Sequence, residues 1–432
     1  MPAPDRRSES PSTRELLLFW GKLGLISFGG PAGQISIMHR ELVERRRWVD
    51  EDHFLHALNY CMLLPGPEAT QLAIYIGWLI RGTWCGILAG VLFVLPSALL
   101  LWGLSWLYAA YGAMPLVAAF FYGLKPAVVA VVAASVLRIG RRVLKTPAMA
   151  CLAALAWVAI AWARVPFPAL VAGAAVIGLL GVRFWPAQFA VLKAHPTGEA
   201  PAVKVSLVGE WRRGARLLFT GLVVWWSPIL AALAWQGAGG LLFQQGLFFS
   251  KAALVTFGGA YAVLPYVAQK AVEDFQWLGA TQMLDGLGLA ETTPGPLIMV
   301  LEFVGFMGGW QHAGGALPPL AMATLGAAVT VWATFVPSFI FVLLGAPYVE
   351  RMRGSRRIAG ALSAITAMVV GVILNLALWF GYQVFFPHGG GLDGFALGLT
   401  GLALVGLIRW NWGLIPVTLG GAMVGFLWKL LV

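Results

Sequence analysis

Two similar stretches, LISFGGPAGQISI at residues 25–37 and LVTFGGAYAVLPY at residues 254–266, lie far apart in the chain. Each contains Phe-Gly-Gly inside an apolar run. Consecutive glycines permit backbone angles that end a helix and let another backbone approach closely. The motifs begin at Phe28 and Phe257, and positions 28 and 257 are 229 residues apart. The residues that this offset aligns decide how the chain is organised.

The offset of 229 brings further uncommon residue types into register without a gap. The aligned pairs are Lys22 with Lys251, Trp48 with Trp277, and Pro65-Gly66-Pro67 with Pro294-Gly295-Pro296. A later motif, Pro96-Ser97, aligns with Pro337-Ser338 at an offset of 241, and a Gly/Pro-rich loop at residues 309–320 accounts for the difference. Such agreement is hard to obtain by chance, so the sequence predicts an internal duplication.

The composition is that of a membrane protein. Of the 432 residues, 59% are hydrophobic and only 11% are charged, whereas about 25% are charged in a typical soluble domain. Long apolar runs follow one another along the chain, which excludes a transmembrane barrel of weakly alternating strands. The net charge of +11 resides mainly in short loops. This pattern is typical of membrane orientation signals and not of a nucleic-acid partner.

The predicted fold is an all-α polytopic membrane protein with two inverted-topology repeats. Its helices are broken or re-entrant at the Phe-Gly-Gly and Pro-Gly-Pro motifs. The predicted parts are a cytoplasmic tail, a first transporter repeat, a cytoplasmic linker, an unpaired connecting transmembrane helix and a second, inverted repeat. In that order they cover residues 1–13, 14–185, 186–216, 217–240 and 241–432.

Clusters of basic residues predict the orientation. They lie at residues 40–47, 138–145, 183–216 and 351–357, and the positive-inside rule places them in the cytoplasm with the N-terminus. All four fall on one side only if the first apolar run does not cross and the second folds back at Pro65-Gly66-Pro67. Five crossings then separate equivalent points, and this odd number inverts the second repeat. The count of spanning helices stays open, at about nine with re-entrant segments or thirteen without them.

Interrupted helices in inverted repeats are typical of secondary transporters. Proline cannot continue a helix but suits the first position of a new one. Each Pro-Gly-Pro is therefore expected to start a half-helix within the membrane, where a positive dipole end and free N–H groups can bind an anion. The alternative is that these motifs only form bends and tight packing. The predicted substrate-binding residues at the breaks are Phe28, Gly29, Gly30, Pro65, Gly66, Pro67, Phe257, Gly258, Gly259, Pro294, Gly295 and Pro296.

Five further residues complete the predicted anion site. Lys22 and Lys251 lie in apolar segments, where a charge is costly and so suggests function, although each could instead extend to the membrane interface. Gln71 lies one turn after the first Pro-Gly-Pro. Thr292 and Thr293 precede the second motif and could donate hydroxyl groups to an oxyanion, or could serve as ordinary cap residues.

Two carboxylates are candidates for proton coupling. Glu68 follows Pro67 directly, and Glu302 lies in the second half-helix opposite an apolar Ala73. Either could bind a proton and couple its movement to that of the anion, whereas Glu68 could simply stabilise the helix N-terminus. The three cysteines and six histidines have no metal-ligand spacing. No metal, cofactor or catalytic residue is predicted.

The two blocks, Phe-Gly-Gly…Trp48…Pro-Gly-Pro and its partner around Trp277, resemble the chromate ion transporters over nearly the whole chain. The resemblance is to the long members with two fused domains. It implies chromate efflux across the bacterial inner membrane, driven by the proton-motive force, and chromate resistance. The implied partners are chromate or a sulfate-like oxyanion and protons. The lipid bilayer and a second copy in a homodimer are further predicted partners. Ala260-Tyr261 stands in place of Pro31-Ala32, so we expect an imperfectly symmetric site.

Alternative functions remain at this point. Sulfate has the same shape and charge as chromate, so a carrier or importer of sulfate or another tetrahedral oxyanion is one alternative. An anion channel is another. A membrane-embedded enzyme is disfavoured, because the sequence has no nucleophile beside a base, no paired carboxylates on one helix and no cluster of metal ligands.

Overall fold

The computed structural model describes residues 11–28, 30–189, 207–315, 317–346, 356–387 and 390–431, which form helices and connecting turns without a strand. The first half contains α1 (Thr13–Ile26), α2 (Gly30–His39), α3 (Glu51–Cys61), α4 (Glu68–Arg81), α5 (Thr83–Tyr111), α6 (Pro115–Val143), α7 (Pro147–Ala161) and α8 (Phe167–Phe184). The short α9 (Pro186–Phe189) and the long α10 (Leu207–Gln236) follow. The second half contains α11 (Leu241–Val255), α12 (Ala260–Gln269), α13 (Ala280–Thr292), α14 (Val300–Gln311), α15 (Pro319–Gly345), α16 (Arg356–Phe385), α17 (Gly394–Arg409) and α18 (Leu414–Leu431). The prediction of an all-α polytopic protein is confirmed.

The two halves have the same order of elements, including unusual ones. A turn of π-helix follows α2 at Arg40–Arg45, and another follows α12 at Lys270–Asp274. Just beyond these turns, Arg47 and Gln276 both have positive φ, at 52° and 54°. A positive φ is uncommon outside glycine, and positions 47 and 276 differ by the same 229 residues. This agreement in backbone detail supports the proposed duplication.

Seven helices in the described ranges are long and apolar enough to cross a membrane. They are α5, α6, α8, residues 212–236 of α10, α15, residues 358–385 of α16, and α18. Four apolar helices are shorter, namely α7, α11, residues 297–311 and α17. A helix of 15 residues is about 22 Å long, less than a hydrocarbon core of about 30 Å. The predicted count of nine spans includes α7 and α17, so it depends on two of these shorter helices.

The helices are interrupted at the predicted motifs. In the first half, α1 ends just before Phe28, and Pro65-Gly66-Pro67 separates α3 from α4. In the second half, α11 ends just before Phe257, and Pro294-Gly295-Pro296 separates α13 from a 3₁₀ turn that leads into α14. The four gaps place polar backbone groups deep in an apolar molecule, where such groups must find partners.

Small residues attach each half-helix to the long helix that follows it. On α4, a Cβ at Gly77 would lie 2.7 Å from the carbonyl oxygen of Cys85. On α14, a Cβ at Gly309 would lie 2.5 Å from the carbonyl oxygen of Met322. Glycine therefore lets these backbones approach closely, as is usual between membrane helices. The contacts fix α4 on α5 and α14 on α15.

The connection between the halves begins to be helical earlier than its hydropathy suggests. Helix α10 starts at Leu207, inside the predicted linker of residues 186–216, and residues 190–206 of that linker lie outside the described residues. Along α10, Phe219 and Val223 are exposed, and the helix packs mainly on α11 and α15. Such an apolar, exposed face suits contact with lipid.

The orientation of the halves can be tested with a matched pair of cysteines. Glu44→Cys and Glu273→Cys occupy equivalent, exposed positions at the ends of the two π-helical segments. In a background lacking Cys61, Cys85 and Cys151, a membrane-impermeant thiol reagent should label position 44 only from the cytoplasmic side and position 273 only from the outside. Labelling of both positions from the same side would contradict the inverted topology.

Candidate functional site at the helix breaks

The two halves contact each other at the breaks through a reciprocal pair of backbone hydrogen bonds. The N–H of Gly66 donates to the carbonyl oxygen of Thr256 at 2.7 Å, and the N–H of Gly295 donates to that of Ser27 at 2.8 Å. Ser27 and Thr256 are equivalent residues immediately before the two Phe-Gly-Gly motifs. We call these four residues the crossed junction. Its reciprocity is that of a twofold relation, in which each half uses the same two surfaces.

The glycines of the crossed junction have backbone angles and surroundings that suit only glycine. Their φ values are 127° for Gly66 and 102° for Gly295. A Cβ at Gly66 would lie 2.5 Å from the hydroxyl oxygen of Ser338, and one at Gly295 would lie 2.5 Å from that of Ser97. Each Pro-Gly-Pro therefore lies directly against the Pro-Ser motif in the long helix of the opposite half.

Three serine hydroxyls at this junction are buried without a partner. Ser27, Ser97 and Ser338 have no exposed surface, and their hydroxyl groups make no hydrogen bond within the described ranges. Unsatisfied buried polar groups are rare in proteins because each costs free energy. The internal repeat aligns Ser97 with Ser338, but neither serine was among the predicted site residues. The signal in the sequence was that each serine follows a proline, Pro96 or Pro337, in both halves. Proline within a helix leaves a carbonyl group without its usual N–H partner, so such a position is polar.

Two glutamine amides surround the first half's part of the junction. The side-chain amide of Gln71 donates to the carbonyl oxygen of Pro65 at 2.7 Å. The amide of Gln34 donates to the carbonyl oxygens of Ser27 at 3.2 Å and Gly295 at 2.5 Å. The side-chain carbonyl groups of both have no partner among the described residues. Sequence reasoning included Gln71 but missed Gln34. Valine occupies both equivalent positions in the second half, so the site is asymmetric here.

Half-helix α4 begins next to the junction with its positive end available. Its first residue is Glu68, and no side chain caps its N-terminus. Thr70, in the same turn, is fully buried, and its hydroxyl group has no partner in the described structure. In the second half the 3₁₀ turn Leu297–Met299 takes the corresponding place, also without a side-chain cap. Uncapped N–H groups and a helix dipole together favour an anion.

The threonines before the second Pro-Gly-Pro use their hydroxyl protons locally. Thr292 donates to the carbonyl oxygen of Leu289 at 2.9 Å, and Thr293 donates to that of Ala290 at 3.0 Å. These bonds to the preceding helical turn agree with the alternative that both are cap residues. Their role as donors to an anion stays a prediction.

The structure places Lys22 and Lys251 on exposed helix faces. On α1, Lys22 lies between the exposed Leu18 and Leu25, and on α11, Lys251 precedes the exposed Leu254. Neither lysine is among the buried residues of its helix. The geometry therefore favours the alternative in which both lysines extend to the membrane interface. Their participation in the anion site remains a prediction.

The two predicted proton-coupling carboxylates differ in their surroundings. Glu302 on α14 is only 3% exposed, and its Oε2 atom has no hydrogen-bond partner among the described residues. Glu68 is half-buried at the N-terminus of α4. Burial of an unpaired carboxylate in apolar surroundings favours its neutral, protonated form. The proton-coupling roles of Glu68 and Glu302 stay predictions.

Sequence reasoning missed two further buried carboxylates, both on α13. The phenol of Tyr108 donates to Oδ2 of Asp285 at 2.8 Å, and the phenol of Tyr261 donates to Oε1 of Glu291 at 2.5 Å. The available signal was their position within an apolar run that leads to Pro294-Gly295-Pro296. A carboxylate inside a membrane domain suggests a function unless it is needed for structure.

An aromatic cluster holds the segment that follows each Phe-Gly-Gly motif. In the first half, the guanidinium of Arg46 lies 5.0 Å from the ring of Phe19 and 4.8 Å from that of Trp48. In the second half, Phe275 takes the equivalent position and stacks on Trp277 at 4.4 Å. Cation–π contact thus replaces aromatic stacking in otherwise similar geometry. The arginine is present in the first half and absent from the equivalent position of the second. This difference agrees with a cytoplasmic location for the segment around Arg46.

The sequence matches the family model described as "Chromate transporter" over residues 14–179 and 243–426. A "Probable chromate transport protein" from Synechococcus elongatus is 30% identical over 86% of this chain and 85% of its own length. A "Chromate transport protein" from Cupriavidus metallidurans is 30% identical over 84% of this chain and 82% of its own. Another "Chromate transport protein", from Pseudomonas aeruginosa, is 34% identical over 82% of this chain and 77% of its own length. No solved structure matches the chain significantly.

The chain therefore belongs to the chromate transporter family. The resemblance predicted from the duplicated Phe-Gly-Gly and Pro-Gly-Pro motifs is confirmed. Membership makes the protein a multi-pass membrane transporter. The two matched blocks each contain one set of these motifs, and α10 lies in the interval between the blocks.

Proposed function

We propose that this protein exports chromate across the bacterial inner membrane by secondary active transport driven by the proton-motive force, and thereby confers chromate resistance. The observation that carries the proposal is the crossed junction with its unpartnered hydroxyls. Ser97 and Ser338 each face the Pro-Gly-Pro motif of the opposite half, where helix breaks from both halves meet. The relatives' names supply the substrate, since such a site fits any tetrahedral oxyanion.

The chemistry of the junction suits a dehydrated oxyanion. A tetrahedral dianion leaving water needs several O–H or N–H donors, because an uncompensated charge in an apolar interior is very costly. Hydroxyl groups of Ser27, Ser97 and Ser338 and the uncapped end of α4 provide donors of this kind. Hydrogen bonds to a charged partner are stronger than those between neutral groups. The anion would also compete with the carbonyls of Ser27 and Thr256 for the glycine N–H groups.

The arrangement of the halves supports alternating access. Leaving aside the four-residue α9, the described helices between α4 and α11 are α5, α6, α7, α8 and α10. If all five cross, residues 241–432 are inverted relative to residues 14–185, with the N-terminus in the cytoplasm. In inverted-repeat carriers, rocking of one repeat against the other exposes a central site to each side in turn. A reciprocal pair of contacts between the two halves is the natural pivot for such a movement.

The charge of chromate favours export. Moving one elementary charge through a potential of 100 mV changes the free energy by about 2.3 kcal/mol. Export of a dianion from an inside-negative cell therefore releases about 4.6 kcal/mol per 100 mV, and import costs the same amount. Glu68 and Glu302 are the proposed proton-binding candidates from the sequence. A proton entering as the anion leaves would add the energy of the pH gradient.

The main alternative is a carrier for sulfate or another tetrahedral oxyanion, in either direction. Serine hydroxyls and backbone N–H groups recognise oxygen atoms that bear negative charge, and chromate and sulfate both present four such oxygens. An anion channel is a further alternative. A channel would line its path with groups that water can reach. The serine hydroxyls of the site have no exposed surface, and this burial disfavours a channel.

Transport into inverted membrane vesicles tests the proposal. Energised vesicles should accumulate labelled chromate with saturable kinetics, and a protonophore should abolish the accumulation. Sulfate should compete, because the site fits any tetrahedral oxyanion, but labelled chromate should be transported faster than labelled sulfate if chromate is the substrate. Linear, non-saturable flux would indicate a channel. Strong competition by sulfate together with poor chromate uptake would indicate the alternative carrier, and vesicles without the protein provide the baseline.

A further inference from the structure

A cluster of charged and polar side chains links the two halves at a second place. Asp285 on α13 accepts a hydrogen bond from the phenol of Tyr108 on α5 at 2.8 Å. Its other oxygen, Oδ1, lies 3.6 Å from the ammonium nitrogen of Lys125 on α6. We call these three residues the Asp285 cluster. Helices α5 and α6 belong to the first half and α13 to the second, so the cluster bridges the halves as the crossed junction does.

The Asp–Lys pair of the Asp285 cluster is not repeated at the aligned positions of the other half. At the offset of 229 the position of Asp285 is occupied by His56, and at the offset of 241 that of Lys125 is occupied by Thr366. The crossed junction, in contrast, has a counterpart in each half. The other half packs its equivalent helices without an Asp–Lys pair. Its presence on one side therefore points to a task that the protein performs once.

Stability does not explain the pair. Asp285 is only 3% exposed, while the Lys125 side chain is 22% exposed. The cost of dehydrating two buried charges is about as large as their attraction, so such a pair contributes little net stability. Oδ1 of Asp285 also accepts no hydrogen bond in the described part of the chain. Apart from its ion pair with Lys125, this oxygen has no partner among the described residues, so it can take a proton when the pair separates. The partial exposure of Lys125 leaves that side of the cluster open.

The surroundings of Asp285 contain few competing charges. Helix α13 packs on α5, α6, α14, α16 and α18. Among the described residues, Tyr108 and Lys125 are the ionisable groups that contact Asp285. Glu302 lies on α14 and Tyr382 on α16. Lys429 on α18 lies 4.6 Å over the ring of Tyr122. Glu291 follows Asp285 by six residues, about 9 Å along the helix axis. The charge of Arg138 on α6 attracts the carboxylate of Glu291.

We propose that Asp285 binds the coupling proton, at a site separate from the anion site. Tyr108 and Ser97 are eleven residues apart on α5, which is about 16 Å along the helix. Proton uptake forms an O–H bond on Oδ1 and changes the cluster from neutral to singly positive. The ion pair between α13 and α6 is then lost, and Lys125 is released. Because this contact joins the halves, its loss changes which arrangement of the halves is favoured.

This inference rests on the proposed function, and two assays on the purified protein in proteoliposomes separate them. Anion counterflow, the exchange of labelled external chromate for unlabelled internal chromate without a gradient, needs only the anion site. Chromate accumulation driven by a pH gradient needs the proton site as well. Asp285→Asn should keep counterflow within about threefold of wild type and lose at least about tenfold of the gradient-driven accumulation, a difference of 1.4 kcal/mol or more.

Asp393→Asn is the matched control. Asp393 accepts a hydrogen bond from the phenol of Tyr122 at 2.8 Å, as Asp285 does from Tyr108, but it caps the N-terminus of α17. Asparagine is an equally good cap, so both assays should resemble wild type. If Asp285→Asn does not reach the membrane, the charge-neutral double variant Lys125→Met with Asp285→Asn replaces it, since it leaves no unpaired charge.

Three outcomes would overturn the inference. The first is Asp285→Asn, or the double variant, with a normal response to the pH gradient. The second is an equal loss of counterflow and of gradient-driven accumulation, which would show damage to the fold or the anion site. The third is loss of the gradient response in Glu302→Gln but not in Asp285→Asn. If the wild-type protein shows no counterflow with chromate or with sulfate, the proposed function itself fails.

Discussion

Gly66→Ala and Gly295→Ala are each expected to lower chromate transport at least about tenfold while the protein still reaches the membrane. The φ angles of 127° and 102° are unfavourable for any residue with a Cβ, and positive φ alone costs about 1–2 kcal/mol. The new Cβ would also lie 2.5 Å from the hydroxyl oxygen of Ser338 or Ser97. The backbone must therefore shift. The shift breaks the N–H bond to Thr256 or Ser27 and displaces the proposed anion donors.

Two helical glycines provide controls for this substitution. Gly103 lies on α5, the helix that carries Ser97, and Gly173 lies on α8, and a Cβ at either position meets nothing within 4 Å. Gly103→Ala and Gly173→Ala should therefore retain transport and membrane abundance, since alanine favours the helix. The measurement is chromate flux in proteoliposomes, normalised to the reconstituted protein. Flux within twofold of wild type for both Gly66→Ala and Gly295→Ala would show that the breaks serve packing only.

Ser97→Ala combined with Ser338→Ala should raise the KM for chromate by at least about tenfold without lowering thermal stability. A hydrogen bond to a charged group contributes about 1.5–3 kcal/mol, and two are lost from the proposed site. In the protein without an anion, however, these hydroxyls have no partner within the described ranges. Their removal should therefore leave the melting temperature unchanged or raise it. A loss of affinity without a loss of stability distinguishes a ligand from a structural residue.

Ser105→Ala is the control for the serine variants. Ser105 is fully buried on α5, two turns after Ser97, and its hydroxyl donates to the carbonyl oxygen of Leu101 at 2.7 Å. Its removal should leave the KM near the wild-type value. If the double variant Ser97→Ala, Ser338→Ala keeps a wild-type KM, its hydroxyls do not contact the anion. Both measurements use purified protein, with KM from initial rates and stability from thermal unfolding in detergent.

The helices and their interruptions could be predicted from the sequence because the signals are local. Phe-Gly-Gly and Pro-Gly-Pro end helices through the backbone freedom of glycine and the missing N–H of proline. The helices end within a few residues of these motifs in both halves. The fixed register of the two blocks predicts which elements correspond, and the two halves show the same order of elements. The helix ends needed only neighbouring residues, and the correspondence of the halves needed only a comparison of the sequence with itself.

The rotation of helices about their axes could not be predicted in the same way. In a soluble protein, polar residues mark the outer face of a helix. In a membrane, lipid and protein interior are equally apolar, so this signal is weak. Lys22 and Lys251 were therefore placed at the anion site by charge alone, although each lies on an exposed face.

Contacts between distant segments were also beyond the sequence. Tyr108 and Asp285 are separated by 177 residues, and no local pattern links a tyrosine near the end of α5 to an aspartate on α13. Gln34 was missed for a similar reason, since its amide reaches the carbonyl oxygen of Gly295 in the other half. These partners become evident only when the two halves are brought together.

The crossed junction has a consequence for how the two halves can diverge during evolution. Both of its hydrogen bonds join backbone N–H to backbone carbonyl, so neither depends on the side chain of the accepting residue. The acceptor is serine in one half and threonine in the other, and the contact is the same. After duplication, mutations could alter the surrounding donors, amides and carboxylates in either half without separating the halves at their centre. Side chains with different functions can thus arise in the two halves while the crossed junction stays symmetric.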